Sequence, residues 1–486
     1  MQPTTRREFL KLAGRGAAAS LLAPTVLWGK AAAMAKRGTH NVLFIAVDDL
    51  RPQLACFGHT NMKSPHIDRL AARGTAFERT YCQQAVCAPS RASIMSGCRP
   101  DTTRVYNLQT PLRSTMPDVL TLCEHFKTGG YTAISLGKIY HHGKRDDPRG
   151  WSEDPWRPTG DWKGRGYLTP EAQAIAAKTD QGRGPAWECA DVADEAYPDG
   201  ALATQAVETL RRVKDRPFFL AVGFYKPHLP FNAPKKYWDL YPEDQIDLAD
   251  NPFKPKDAPD IAMHNWGELR SYPGMPEKGP VSEAQARTLV RGYYACTSYT
   301  DAQIGRLLDE LDRLGLADKT VVVLWGDHGW HLGDHGMWCK HSNFETAVHA
   351  PLIVAAPGIQ GGRKTRRLTE FVDIYPTTCE LAGLPVPGHC EGISLVPLMK
   401  DPRREWKTAA FSQYPRGPVM GHSMRTDRYR FTRWIGKTGG IVATELYDHE
   451  ADPAENVNLA DDPKHRKTVE ELAAIFKKGW RGALPR

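Results

Sequence analysis

The stretch NVLFIAVDD, Asn41 to Asp49, is a continuous apolar run that stops on two carboxylates. A strand with one wet face alternates apolar and polar residues, and this one does not. It therefore reads as a strand buried on both faces, the hallmark of a parallel sheet. Four more stretches share its texture. YTAISLG (131–137) stops before Lys138, and PFFLAVGFYKPHLPF (217–231) runs out into a loop at Lys226-Pro227-His228. TVVVLWGDHG (320–329) ends on Asp327-His328, and APLIVAAPG (350–358) follows. Helical patterns lie between them. SPHIDRLAARG puts Ile67, Leu70 and Ala71 on one face, with Ser64-Pro65 to start the helix and Gly74 to stop it. ALATQAVETLRRVKD (201–215) is amphipathic, and a long helix is expected over 288–315, with Leu307, Leu308, Leu311 and Leu314 near its end. Strand and helix alternate, so the fold class is α/β: a mostly parallel, mixed sheet sandwiched by helices.

Past residue 400 the texture changes. MRTDRYRFTRW (424–434) and ATELYDHEADPAENVNLA (443–460) read as antiparallel strands with a turn, and HRKTVEELAAIFKKGW (465–480) as a closing amphipathic helix. The expected organisation is a leader over 1–35, an α/β domain over 36–400 and a smaller C-terminal α+β subdomain over 401–486.

Asp48, Asp49, Lys138, His228, Asp327 and His328 all fall just past the carboxyl ends of expected strands, the edge where open α/β sheets bind ligands. Three carboxylates converging there would repel one another unless a cation intervened. Oxygen-rich ligation favours calcium or magnesium over zinc. Arg91, Lys138, His141, His228 and Lys340 add positive or protonatable groups. A hard cation beside them makes a pocket for a tetrahedral oxyanion such as sulfate or phosphate.

Composition narrows the setting. The 486 residues carry a formal charge of +8, with 42 Gly and 37 Pro, which suits long ordered loops. Part of the charge sits in TTRREFLKLAG, where Thr5-Arg6-Arg7-Glu8-Phe9-Leu10-Lys11 matches a twin-arginine export signal. A weakly apolar run (17–29) follows, and Ala33-Met34-Ala35 reads as a cleavage site. The run is short for a bilayer span and holds Pro24, so no stable span is expected after processing. Removing residues 1–35 leaves a mature chain near +4, with no Lys/Arg-rich block to argue for nucleic acid. The expected location is outside the cytoplasm, periplasmic or extracellular. The ten cysteines form no CxxC, which argues against a zinc ribbon. Cys379 with Cys390 is the nearest plausible disulfide, although sequence does not fix connectivity.

Cys87-Ala88-Pro89-Ser90-Arg91, continuing Ala92-Ser93-Ile94-Met95-Ser96-Gly97, resembles the signature of type I sulfatases. The resemblance extends to the iduronate-2-sulfatase branch. NVLFIAVDDLRPQLACFG, RPDTTRVYN, GKIYHHG, FFLAVGFYKPHLPF, SYTDAQIGRLLDELD, DHGWHLGDHGMWCKHSNFE, MGHSMRT and ELYDHEADPAENVNL follow that branch in order, over roughly residues 39–460. It implies an alkaline-phosphatase-like fold. It also implies that a formylglycine-generating enzyme oxidises Cys87 to Cα-formylglycine, and that Asp48, Asp49, Asp327, His328 and the modified Cys87 hold one Ca2+. By the same resemblance Arg91 would steady the modified residue, Lys138, Lys340 and His228 would hold sulfate oxygens, and His141 would sit beside the nucleophile. The twin-arginine machinery carries folded proteins, so oxidation of Cys87 would precede export.

The implied activity is a sulfuric ester hydrolase acting on a sulfated carbohydrate, a uronic acid 2-O-sulfate of a polysaccharide or glycosaminoglycan. Three rivals stay open on sequence. They are a phosphonate or phosphodiester hydrolase on the same fold, a catalytically dead glycan-binding protein, and a thiol-dependent hydrolase pairing Cys87 with a histidine.

Overall fold

A computed structural model describes residues 40–142, 145–158, 166–179 and 181–485. The export signal over 1–35 lies outside the described residues, as does part of the loop between Gly137 and Trp187. No helix among the described residues is long and apolar enough to cross a membrane.

In chain order the elements that frame the site are β1 (Asn41–Val47), α1 (Pro65–Arg73), β2 (Thr75–Phe77), α2 (Cys87–Ser96), β3 (Thr132–Gly137), α3 (Pro198–Val213), β4 (Phe218–Phe224), α4 (Glu283–Arg313), β5 (Thr320–Gly326), β6 (Leu352–Ala355) and β7 (Arg363–Thr365). They build a seven-stranded sheet in the order β7-β2-β6-β5-β1-β4-β3. β1 lies between β4 and β5, parallel to both, and β3 continues the parallel run beyond β4. β6, the APLIVAAPG strand, runs antiparallel to both β5 and β2, which makes the sheet mixed.

Burial on both faces explains the unbroken apolar runs. Leu43, Ile45 and Val47 of β1 enter one core cluster, and Val42, Phe44 and Ala46 enter the other. Successive side chains of a strand point to opposite faces, so a sheet covered on both sides needs every position apolar. The helix α4 begins at Glu283, five residues before the start expected from the sequence. Ser282 and Gln285 form a reciprocal capping box there. The box satisfies backbone donors that hydrophobic periodicity does not report.

Glycine 223 lets β4 pass beneath the site. A Cβ on it would sit 2.1 Å from the Lys138 carbonyl oxygen, at the turn where β3 delivers Lys138. Gly223→Ala is therefore expected to cost about 1–3 kcal/mol through overpacking and to lower the melting temperature. A thermal melt superimposing on the parent would contradict this close approach.

Four antiparallel strands, β8 (Ala410–Arg416), β9 (Val419–Arg425), β10 (Tyr429–Ile435) and β11 (Ile441–Asp448), form a second sheet in that order. Helix α5 (Arg466–Lys478) packs on it through a cluster containing Met424, Phe431, Leu446 and Leu472. Buried ion pairs tie this C-terminal region to segments that follow β5 and β7. Lys407 Nζ lies 2.7 Å from both Glu370 and Asp373, and the Arg430 guanidinium reaches Glu345 and Glu455. All ten cysteines carry free thiols, so the Cys379–Cys390 bridge is not made. Cys379 packs inside the core, whereas Cys390 lies over Gly97 at the end of α2.

Candidate active site

The site assembles where β1, β3, β4 and β5 end. Asp48 and Asp49 follow β1, Lys138 follows β3, His228 lies in the loop after β4, and Asp327-His328 follow β5. The parallel register places these turns side by side. The Asp48 amide donates to Phe224 O of β4 at 3.2 Å, and the Asp327 amide donates to Val47 O of β1 at 3.3 Å. Asp49 takes a left-handed backbone (φ 60°), and its amide donates to Asp327 Oδ1 at 3.0 Å.

Cys87 is the first residue of α2, a helix buried along its whole length. Its Sγ lies 3.4 Å from His328 Nε2 and 3.6 Å from Lys138 Nζ. The helix ends at Gly97 in the left-handed region, where a Cβ would meet Cys390 Sγ at 2.8 Å. This is the local reason for the small-residue run that closes on glycine. Burial, and after it the Asp48 charge, pushes the Cys87 thiol well above the ordinary thiol range. An unmodified Cys87 is thus a poor thiolate, which counts against a thiol-dependent hydrolase.

The structure places Arg91 behind the carboxylates rather than on the cavity wall. Its Nη2 donates to Asp48 Oδ1 at 3.0 Å and its Nε to Asp327 Oδ2 at 2.9 Å. Its Nη1 donates to the carbonyl oxygens of Lys138 and Ile139. The fork joins two acids and the β3 turn, a task that a point charge does not perform. Asp48 is also paired with Lys138 Nζ. Burial pushes the Asp48 carboxyl up, but Lys138 and Arg91 outweigh it and hold the group well below its usual range.

Asp49 is different. Burial pushes its carboxyl up to about 7 despite Lys340, whose Nζ lies 3.1 Å from both Asp49 oxygens. Neighbouring Asp48 adds to the rise. A carboxylate in that state is one a divalent cation would relieve. His328 supports the same reading. Its Nδ1 donates to Gly329 O at 3.0 Å, which turns its Nε2 toward Cys87, Asp49 Oδ1 (3.4 Å) and Asp327 Oδ1 (3.6 Å). Donor atoms of Asp48, Asp49, Cys87 and His228 form one group compact enough to hold an ion, and those of Cys87, Asp327 and His328 form another, with Cys87 common to both. The carboxylate oxygens suit a hard cation.

A cavity of about 620 Å³ opens onto this cluster. Cys87, Lys138, His141, His228 and Lys340 all line it. His141 Nδ1 is buried without a hydrogen-bond partner. Burial, with Lys138 and His142 nearby, pushes its pKa down to about 3, so the imidazole is neutral. His228 Nδ1 donates to Leu229 O at 2.7 Å, and its Nε2 lies 3.1 Å from Glu268 Oε1. Burial and then Lys340 outweigh Asp48 and Glu268 and hold the His228 pKa below the ordinary imidazole value.

The cavity also contains residues that the sequence reading does not name one by one, although it looks for specificity in the loops 144–200 and 232–285 and finds aromatic and basic residues suited to a sugar wall in 151–167. Glu268, Arg157, Arg183, Tyr272 and His341 line the cavity. Most come from the long inter-strand loops, where no periodicity or motif marks a residue as facing a site. Glu268 bridges Lys340 and His228. Burial raises its pKa, but Lys340 and then the hydrogen bond with His228 outweigh the effect and hold it well below the carboxylate range.

Comparison with known proteins agrees with this geometry. The Sulfatase family model matches residues 40–384, and the model for the C-terminal region of N-sulphoglucosamine sulphohydrolase matches residues 333–479. Iduronate 2-sulfatase of Mus musculus is 35% identical, with 89% of this chain and 93% of that protein covered. Among solved structures, a 2-O GAG sulfatase superposes with a TM-score of 0.71 at 25% identity, covering 90% of this chain and 91% of that one. A phosphonate monoester hydrolase from Silicibacter pomeroyi shares the fold, with a TM-score of 0.74 at 23% identity over 92% of this chain and 96% of that one. With a Cys-x-Pro-Ser-Arg helix seated on buried acids at the carboxyl edge of a mixed sheet, and with relatives matched along nearly its whole length, the chain belongs to the sulfatase family.

Proposed function

We propose that this sulfatase removes a 2-O-sulfate from a uronic acid of an anionic saccharide, with Cys87 acting as Cα-formylglycine and one Ca2+ held by Asp48, Asp49, Asp327, His328 and residue 87. The observation that carries the reading is the polarity of the cavity. Its deep end gathers Cys87, Lys138, Lys340 and His228. Its wall adds Arg157 and Arg183, neither of which is paired with a carboxylate among the described residues. Among the described residues Arg157 reaches the carbonyl oxygens of Tyr140 and His141, and Arg183 Nε is buried without a partner. Two guanidinium groups with no carboxylate partner among the described residues, beside Lys138 and Lys340, suit a substrate with a second anionic group, such as a carboxylate. The name of the 35%-identical relative, an iduronate 2-sulfatase, supports the same substrate class.

Oxidation of Cys87 would supply an oxygen nucleophile where the buried thiol is inert, and the cation would supply fixed positive charge beside it. The chain's own side chains do the rest. Lys138 Nζ sets a positive charge 3.6 Å from the residue 87 side chain. Lys340 presents its ammonium at the cavity floor, where sulfate oxygens would lie. Lys340, a buried ammonium in the same cavity, or His228 when protonated donates a proton to the departing sugar oxygen. His141, whose Nδ1 is buried without a partner in that cavity, is the candidate for the proton released when sulfate is freed.

The test is sulfate release from a panel of sulfated uronic acid disaccharides, an uncharged sulfated sugar and an aryl phosphonate ester. Sulfate release should be fastest from the 2-O-sulfated uronates. Arg157→Ala combined with Arg183→Ala should raise KM on these by about tenfold or more and leave KM on the uncharged sulfated sugar nearly unchanged. Preferential cleavage of the phosphonate, or an equal KM change on both sugars, would overturn the assignment.

A further inference from the structure

Glu268 is an ionised carboxylate in a cavity built for anions. Its side chain keeps about one-fifth of its surface open to the cavity (21%). Neutralising Lys340 does not explain it, because Lys340 already has both oxygens of Asp49 at 3.1 Å and Glu268 is a second acid at 3.0 Å. A surplus negative charge here weakens attraction for a sulfated ligand, unless it recognises something on that ligand.

The backbone holds Glu268 in place. It lies in the helical turn Gly267–Arg270, preceded by Trp266 in the left-handed region at φ 41°. That conformation is strained for a bulky side chain, and such strain persists only where surrounding structure enforces it. Arg270 does so. Its guanidinium stacks 3.3 Å over the Trp266 ring and donates to the carbonyl oxygens of Asn265 (2.8 Å), Pro276 (2.6 Å) and Gly279 (2.8 Å).

An ionised carboxylate only accepts hydrogen bonds. A sulfate ester and a carboxylate offer no donor, whereas a sugar hydroxyl does. Both Glu268 oxygens contact Lys340 or His228, the two groups assigned to the sulfate and its leaving oxygen, and the open fifth of its side chain lines the same cavity. Each carboxylate oxygen accepts more than one hydrogen bond, so acceptor capacity remains beside the ester. We propose that Glu268 is a specificity-determining residue: it accepts a hydrogen bond from a free hydroxyl beside the sulfated carbon and repels a second sulfate there. This rests on the sulfatase site assigned above and adds a substrate rule, namely that a ring sulfated at one of two neighbouring positions is cleaved and a vicinal disulfate is refused.

The experiment compares kcat and KM of wild type, Glu268→Gln and Glu268→Ala on three substrates. These are a 2-sulfated uronate with a free 3-hydroxyl, its 3-deoxy analogue and its 2,3-disulfate. Wild type should prefer the hydroxyl-bearing substrate to the other two by about 100-fold in kcat/KM. Glu268→Ala should bring the hydroxyl-to-deoxy ratio close to one. Glu268→Gln, which still accepts but carries no charge, should keep part of that ratio and lose most of the discrimination against the disulfate. Thermal melts check that the variants fold. Ratios that stay equal across the three folded proteins, or a wild type that cleaves the disulfate as well as the monosulfate, overturn the proposal. If another sulfated sugar is cleaved instead of uronates, the substrate class above is wrong, and the same ratios, read on that sugar and its vicinal analogues, decide the role of Glu268 independently.

Discussion

Cys87→Ala is expected to remove sulfate-releasing activity by about four orders of magnitude or more, the scale on which loss of a covalent catalyst is felt, while leaving the melting temperature close to that of the parent. The side chain is small and sits at the first position of a helix whose packing comes mainly from its neighbours. The variant would still gather Lys138, Lys340 and His228, so it should bind sulfated saccharides without turning them over. Mass spectrometry of the peptide spanning residue 87 in active wild type should find the aldehyde rather than the thiol. Alkylating agents should not inactivate the wild type, because an aldehyde at residue 87 leaves no thiol there to alkylate. Residual activity of the alanine variant near that of wild type, or active enzyme that still carries the sulfur at position 87, would end the proposed chemistry. A dead glycan-binding protein would instead show no turnover in the wild type.

Arg91→Ala should give the largest loss of stability. Removing the guanidinium leaves Asp48 and Asp327 buried without their shared partner, and breaking one side of a buried ion-pair network costs about 3–5 kcal/mol. Both acids are essentially unexposed, so water does not replace the lost donors. Arg91→Lys should recover only part of this, since one ammonium cannot span two carboxylates and the carbonyl oxygens of Lys138 and Ile139. Activity should fall in both variants, because the acids proposed to hold the cation lose their spacing. Urea denaturation and released sulfate measure the two effects. An alanine variant as stable as wild type would show that the bound cation alone holds the acids together.

Much of the fold was legible because burial on both faces leaves a plain mark. NVLFIAV and TVVVLWG read as central strands, because short unbroken apolar runs rich in β-branched and aromatic residues and ended by acids suit a strand buried on both faces, and their carboxyl ends located Asp48, Asp49, Asp327 and His328. The direction of APLIVAAPG was not legible, because an apolar run reads the same parallel or antiparallel. The start of α4 was misplaced for a related reason. Its first turn is polar and held by the Ser282–Gln285 box rather than by the hydrophobic face.

Side-chain roles divide in the same way. The sequence by itself determined which chemical groups the chain brings to the sheet edge, because strand ends and the Cys-x-Pro-Ser-Arg segment are local patterns. Only the tertiary structure decided that Arg91 clamps two acids instead of facing the cavity, that Glu268, Arg157 and Arg183 shape the wall, and that His141 Nδ1 is buried without a hydrogen-bond partner. Those facts depend on contacts between residues up to hundreds of positions apart, such as Lys340 with Glu268 and Arg91 with Asp327. Distance and burial set their charge states, and neither is written in any one stretch of chain.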